Sequence, residues 1–148
     1  MSDDQRVAVA MLVLGAATQV VEAIAQGLVD RGFVDVRPAH GFAFVRVSAG
    51  DATVAELAGH LGVTKQAASQ LVEQLVQRGY LTREIDPRDG RARILRLTDH
   101  GWACTRAAEQ AAGDAVEVWK QQLDPAAFAA LRNALQAVVR PGRLRPAW

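Results

Sequence analysis

The sequence predicts a mainly α-helical fold carrying one small β-hairpin, and three observations predict it. Within residues 53–79, two apolar stripes repeat at helical spacing on either side of Gly62. After Gly79 the period changes to strict alternation, over residues 80–85 and again over 94–98. The segments that flank this centre, residues 5–32 and 99–140, are rich in alanine, valine and leucine at helical spacing.

Composition sets the bounds. The chain has 148 residues, half of them hydrophobic, enough for one domain over 1–148 with its own core. Aromatics are only 5%, which favours helices packed closely through small side chains. Formal net charge is +1, so bulk charge does not announce a polyanionic partner and the placement of the charges has to be read instead. The single cysteine, Cys104, excludes an intramolecular disulfide and fits a reducing, cytoplasmic setting. His40, His60 and His100 are far apart and none lies at ligand spacing from Cys104, so no metal is expected. Nucleophile-elbow, phosphate-loop and metalloprotease motifs are all missing, which leaves an enzyme or a bound cofactor without support.

The first helix is expected over residues 5–32. Its apolar run suggests a signal peptide or a membrane span, but Asp3 and Asp4 make the start acidic. Gln19, Glu22 and Gln26 interrupt the run before twenty apolar residues accumulate. A helix that is apolar on more than one side needs covering, and a second protomer is the natural cover. Gly32 ends it. Pro38 can open a short helix over residues 38–50, with Phe42, Val45 and Phe44 packing on the centre and Gly41 weakening its regularity.

Thr53 is placed to N-cap the next helix, with Glu56 at capping-box spacing. Val54, Leu57, Ala58 and Leu61 form its stripe, Gly62 its C-cap, and Val63 plugs the turn. Thr64 caps a second helix that keeps Ala67, Ala68, Leu71, Val72, Leu75 and Val76 on one side until Gly79. The other side carries Lys65, Gln66, Ser69 and Gln70 near its start. Those residue types match base edges and phosphates: glutamine can pair with adenine, lysine with guanine or phosphate, serine with either.

The hairpin that follows has a tip, residues 86–93, with Pro87 and Gly90 as turn signals, and reads as too long for a tight two-residue connection. Arg88, Arg91 and Arg93 suit a minor groove, where negative potential draws arginine. Asp86 and Asp89 are expected to hold some of these guanidiniums through bidentate pairs, with Arg93 open to pairing with Asp89 instead of DNA. Asp99 is placed to cap the next helix, which Gly113 is expected to bend. Asp124 and Pro125 open a last helix with the stripe Phe128, Leu131, Leu135 and Val138.

Helix, turn, helix and arginine hairpin make a winged helix-turn-helix, and residues 57–101 resemble the DNA-binding core of the MarR family of transcription regulators. The run Asp86-Pro87-Arg88-Asp89-Gly90-Arg91 matches that family's wing signature. The resemblance implies a mainly α fold with a small β-wing, a DNA-binding region over 34–98, and dimerisation helices over 5–32 and 99–140. It also implies a short third strand near residues 48–52.

The expected function is a homodimeric regulator, a repressor, of double-stranded DNA. Two heads would meet successive major grooves about 34 Å apart on a pseudo-palindromic operator. Base-edge candidates are Gln66, Ser69 and Gln70; Thr64 and Lys65 are assigned to phosphate, and Arg91, then Arg88, to the wing contact. The resemblance further implies a small aromatic effector, for which His40, Phe44 and Trp102, with Trp119, are candidate pocket residues. No membrane partner is expected. Two alternatives stay open: a protein-interaction winged helix without DNA, and a redox regulator acting through Cys104, against which stands its alanine-rich setting.

Overall fold

The computed structural model describes residues 2–140. Six helices and one two-stranded antiparallel sheet follow in the order α1 (Asp3–Asp30), α2 (Pro38–Ser48), α3 (Val54–Leu61), α4 (Lys65–Gln77), β1 (Leu81–Asp86), β2 (Asp89–Leu97), α5 (Asp99–Gln122) and α6 (Pro125–Val138). The mainly α fold with a small β-wing is as the sequence predicts.

One core holds the centre together. Leu57 and Leu61 of α3, Val72 and Leu75 of α4, Leu81 and Leu95 of the hairpin, Phe44 and Val47 of α2, and Cys104 and Ala107 of α5 are buried in a single cluster with Tyr80. Two glycines in the left-handed region make the turns around it. Gly62 at φ 69° closes α3, and Gly79 at φ 79° turns the chain from α4 into the hairpin.

Several elements differ from expectation. α1 starts two residues earlier, because Ser2 and Gln5 complete a capping box. α2 is continuous through Gly41 and ends at Ser48, so the third strand shrinks to one bridge, Ala52 with Leu95, made by a 2.8 Å backbone bond. Phe42 packs against the core as expected and also lines the cavity described below, Val45 lines that cavity without joining the core, and Phe44 packs on Tyr80 with ring centroids 5.5 Å apart. Ala67 is exposed and Ala68 alone of that pair is buried.

Thr98, not Asp99, caps α5: its hydroxyl accepts from the Gly101 N–H and donates to the carbonyls of Gly79 and Tyr80, pinning the helix start to the hairpin root. α5 runs through Gly113 as one helix. α6 opens at Asp124 and Pro125 as expected, yet none of its residues is buried.

α1 and α5 cross closely. A Cβ at Gly27 would collide with Ala111, and Arg31 reaches Asp114 at 2.7 Å. Over residues 3–15 every position of α1 is exposed. Of its 28 residues only Leu28 is buried, and Leu12 is 72% exposed. Within α1 an 18-residue stretch has mean hydropathy 2.0, and by length and composition the helix is able to cross a membrane.

Candidate nucleic-acid interface

The helix-turn-helix is built from local chemistry. The Thr53 hydroxyl accepts from the Glu56 N–H at 3.2 Å while the Glu56 carboxylate accepts from the Thr53 N–H at 2.8 Å, so two first-turn amides are satisfied reciprocally. Thr64 caps α4, accepting from the Ala67 N–H at 3.1 Å. Its hydroxyl hydrogen is not used by that bond and can still donate.

With Ala68, Val72 and Leu75 buried, the opposite face of α4 is turned to solvent. Lys65, Gln66, Ser69 and Gln70 are all exposed there, and among the described residues their side chains make no hydrogen bond or ion pair. The residues proposed from sequence to read a duplex therefore share one open, uncommitted face.

The wing is more tightly built than expected. β1 and β2 connect through Pro87 and Arg88 alone. Pairing runs from Leu81 with Leu97 to Ile85 with Arg93, then shifts so that Asp86 faces Asp89. The extra residues 90–92 form an irregularity that sets the tip apart from the ladder.

The aspartates do not make the expected bidentate pairs. One Asp86 oxygen accepts from the Arg88 backbone N–H at 2.8 Å and from its Nε at 3.3 Å. The backbone donor first, then the guanidinium, holds the Asp86 carboxyl below its usual range, and Asp86 in turn holds the Arg88 guanidinium above its own. Asp89 accepts from the Arg91 backbone N–H at 3.0 Å and leaves the guanidinium free of it. Both carboxylates shape turns, because a short acceptor reaches the amide two residues on more readily than a distant guanidinium. Arg93 does not pair with Asp89; it donates to the carbonyls of Gly90 and Ala92.

Charge is divided sharply along the hairpin. Arg83 pairs with Glu73 at 2.9 Å, and Arg96 with Glu84 at 2.6 Å and Asp51 at 3.3 Å. Arg88 lies against Asp86 and, at 3.9 Å, Asp51. Arg91 and Arg93 are exposed and carry no carboxylate partner among the described residues. Sequence reading missed the Glu73–Arg83 pair. Its one available signal was that Glu73 continues the exposed face of Gln66, Ser69 and Gln70 at helical spacing.

A cavity of about 310 Å³ lies between α1, α2 and α5, walled by Ile24, Leu28, Phe42, Phe44, Thr105 and Ala108, with Arg37 at its edge. Of the candidate pocket residues only Phe44 lines it. His40 is buried elsewhere, its Nδ1 accepting the Arg37 N–H at 3.0 Å and capping α2 in the place of a carboxylate. Trp102 sits in the opening turn of α5, 41% exposed, and Trp119 lies farther along the same helix; neither is in the wall. Cys104 does line the cavity, but burial first and Asp35 second push its thiol up to about 12. A thiol held in that state packs as a small apolar group and is a poor nucleophile, which weighs against the redox reading. Among the described residues no group of acidic, histidine or cysteine side chains is arranged to hold a metal.

Comparison with known proteins agrees with this architecture. The family model described as MarR family matches residues 42–92. A curated relative, the HTH-type transcriptional regulator PetP of Rhodobacter capsulatus, is 31% identical over 93 residues; the match spans 63% of this chain and a little over half, 56%, of that protein. Among solved structures, the reduced form of MarR from E. coli superimposes with a TM-score of 0.75 at 23% identity, covering 88% of this chain and 96% of the other. A mutant E. coli MarR complexed with operator DNA gives 0.69 at 22% identity, covering 94% and 100%. Likeness at that identity speaks for the fold.

Proposed function

We propose that this chain, which belongs to the MarR family of winged-helix transcription regulators, is a homodimer that binds a pseudo-palindromic operator and acts as a repressor relieved by a small apolar effector. The observation that carries the DNA reading is the uncommitted face of α4: Lys65, Gln66, Ser69 and Gln70 exposed together, beside a wing whose Arg91 and Arg93 have no carboxylate partner among the described residues. Gln66, Ser69 and Gln70 are assigned to base edges, Thr64 and Lys65 to phosphate, and Arg91 with Arg88 and Arg93 to the flanking groove. That a solved relative in fold is a complex with operator DNA supports the reading.

A titration of a duplex from upstream of the protein's own gene, repeated across a salt series, tests it. Affinity should fall steeply with salt, and Arg91→Ala should weaken binding and reduce the slope by about one. A chain indifferent to duplex at low salt would return the α4 face to a protein-binding role.

The dimer is argued from α1. Val7, Met11, Leu12 and Leu14 are each more than half exposed, too much contiguous apolar surface for water. A membrane is the weaker cover, because the C-terminal half of α1 is already engaged: Gly27 seats on Ala111, and Val21, Ile24 and Ala25 wall the cavity. A second copy meets both demands, leaves the protein soluble in the cytoplasm, and spaces two heads for successive grooves. The effector is argued from the cavity, whose wall is almost wholly apolar and whose α2 side leads directly to the head. A screen for compounds that raise Tm would identify it.

A further inference from the structure

α4 presents a puzzle at the centre of its open face. Glu73 lies seven residues after Gln66, about two turns on, and three and four residues after Gln70 and Ser69, so it shares their face. A carboxylate there would meet a phosphate backbone of its own sign. It is not bare, however. Its Oε2 accepts from Arg83 of β1 at 2.9 Å and its Oε1 accepts from Gln77, one turn along α4, at 3.4 Å. Both oxygens are engaged, one from within the helix and one from the hairpin.

The strand geometry explains how Arg83 arrives. Leu81 and Arg83 lie on the same side of β1, by the alternation of a strand, and Leu81 is buried toward the head core. Arg83 sits opposite Leu95, also buried, so its side chain leaves on the α4 side of the sheet. Arg96 and Arg88 are occupied by acids of the wing and of the loop before α3. Arg83 alone among these crosses to the reading helix, and a third of its side chain remains exposed. One of its five N–H groups points at Glu73; the others are not used within the described residues.

Resting on the DNA reading above, we propose that Arg83 is a phosphate contact at the edge of the groove entered by α4, and that Glu73 is the positioning residue that aims it. The pair fixes the angle between the reading helix and the wing, and delivers a preorganised guanidinium to the backbone beside the helix. A planar guanidinium held by one carboxylate keeps a second fork for a phosphate, which a flexible lysine does not. The ligand is the sugar-phosphate backbone, so the contact fixes register without reading sequence.

The two candidate roles of Glu73 predict opposite signs. As a bystander, its replacement by glutamine removes one negative charge from a DNA-facing surface and tightens binding. As the group that aims Arg83, the same replacement weakens binding although the protein becomes more positive. The experiment is a duplex titration over a salt series with the full chain, its Glu73→Gln and Arg83→Gln variants and the double variant, on the upstream duplex and on an unrelated duplex of equal length. Unfolding curves establish that each variant is folded. Arg83→Gln should weaken binding to both duplexes by a similar factor and lower the salt slope by about one. Glu73→Gln should weaken binding about three- to tenfold, the range of one ordinary hydrogen bond, since the Arg83 guanidinium is misaimed and not removed, and add little to the Arg83→Gln loss in the double variant. Tighter or unchanged binding by Glu73→Gln, an unchanged slope in Arg83→Gln, or simple additivity would each overturn the proposal. Failure of the unmodified chain to bind either duplex would instead overturn the DNA reading itself, and this proposal with it.

Discussion

The central head and the long flanking helices spend their hydrophobic residues in opposite ways. In the head, α3 and α4 bury one face completely and leave a polar face to water. In α1 the apolar residues run round the helix, one residue is buried, and in α6 none is. The head is finished as a folding unit within one chain, and its open surface is the part left for a polar ligand. Of the flanking helices α5 joins the core, while α1 and α6 are unfinished within one chain and their open surface suits an apolar partner. One molecule therefore exposes two surfaces that ask for different partners.

The largest effects should come from pitting these surfaces against each other. Leu57 is fully buried, and Leu57→Ala should destabilise the chain by about 2–5 kcal/mol, read as a lower urea midpoint at unchanged m-value. Leu12 contacts little within the chain, so Leu12→Asp should leave the far-UV spectrum of the head intact. On the dimer proposed above it should nonetheless shift sedimentation from dimer to monomer, since a buried unpaired charge at a covered face is strongly unfavourable. A Leu12→Asp protein that sediments like the parent would remove α1 from the interface.

The two threonine caps sharpen the comparison at a smaller scale. Thr53 and Thr64 each accept one first-turn amide, and each replaced by alanine should cost about 1 kcal/mol of stability. Thr64 also stands at the helix end proposed to meet phosphate, whereas Thr53 does not. Thr64→Ala should therefore lose duplex affinity measured well below its unfolding range, and Thr53→Ala should not. Equal affinities for the two variants would strip Thr64 of its assigned contact.

These cases also mark what was legible in the sequence. The caps at Thr53, Thr64 and Asp124 and the stripes of α3 and α4 were readable because their partners lie three or four residues away. The α5 cap was misplaced by one residue because Thr98 and Asp99 are both competent, and the choice is made by the carbonyls of Gly79 and Tyr80, eighteen or more residues back. The wing tip was misread for a similar reason: residues 90–92 fall out of register only when the two strands are paired. Glu73 and Arg83 looked like separate surface charges until the hairpin folded back on α4. The cavity was invisible, since its wall is assembled from three helices and no local spacing encodes it. Nothing in local spacing separates a pocket histidine from a capping one, and the structure gives the His40 imidazole the capping task.

That task yields the smallest expected effect and a clear sign. His40 is 2% exposed, and its Nδ1 accepts the Arg37 N–H, so the proton of the neutral ring sits on Nε2. Burial first, then Arg78 and Arg37, lower its pKa from 6.5; Gln74 and Asp35 oppose them without reversing the shift. The unfolded chain therefore binds this proton more readily than the folded one. The contribution of neutral His40 to stability is complete above pH 6.5 and is lost as pH falls from there through the folded value. Protonation would also turn the Nδ1 acceptor into a donor facing the N–H it now caps, loosening the start of α2, a wall of the cavity. His40→Gln keeps an acceptor within reach and cannot titrate. Urea midpoints at pH 7 and pH 5.5 should separate more for the parent than for His40→Gln, and equal separations would show that the ring is indifferent to its proton in this range.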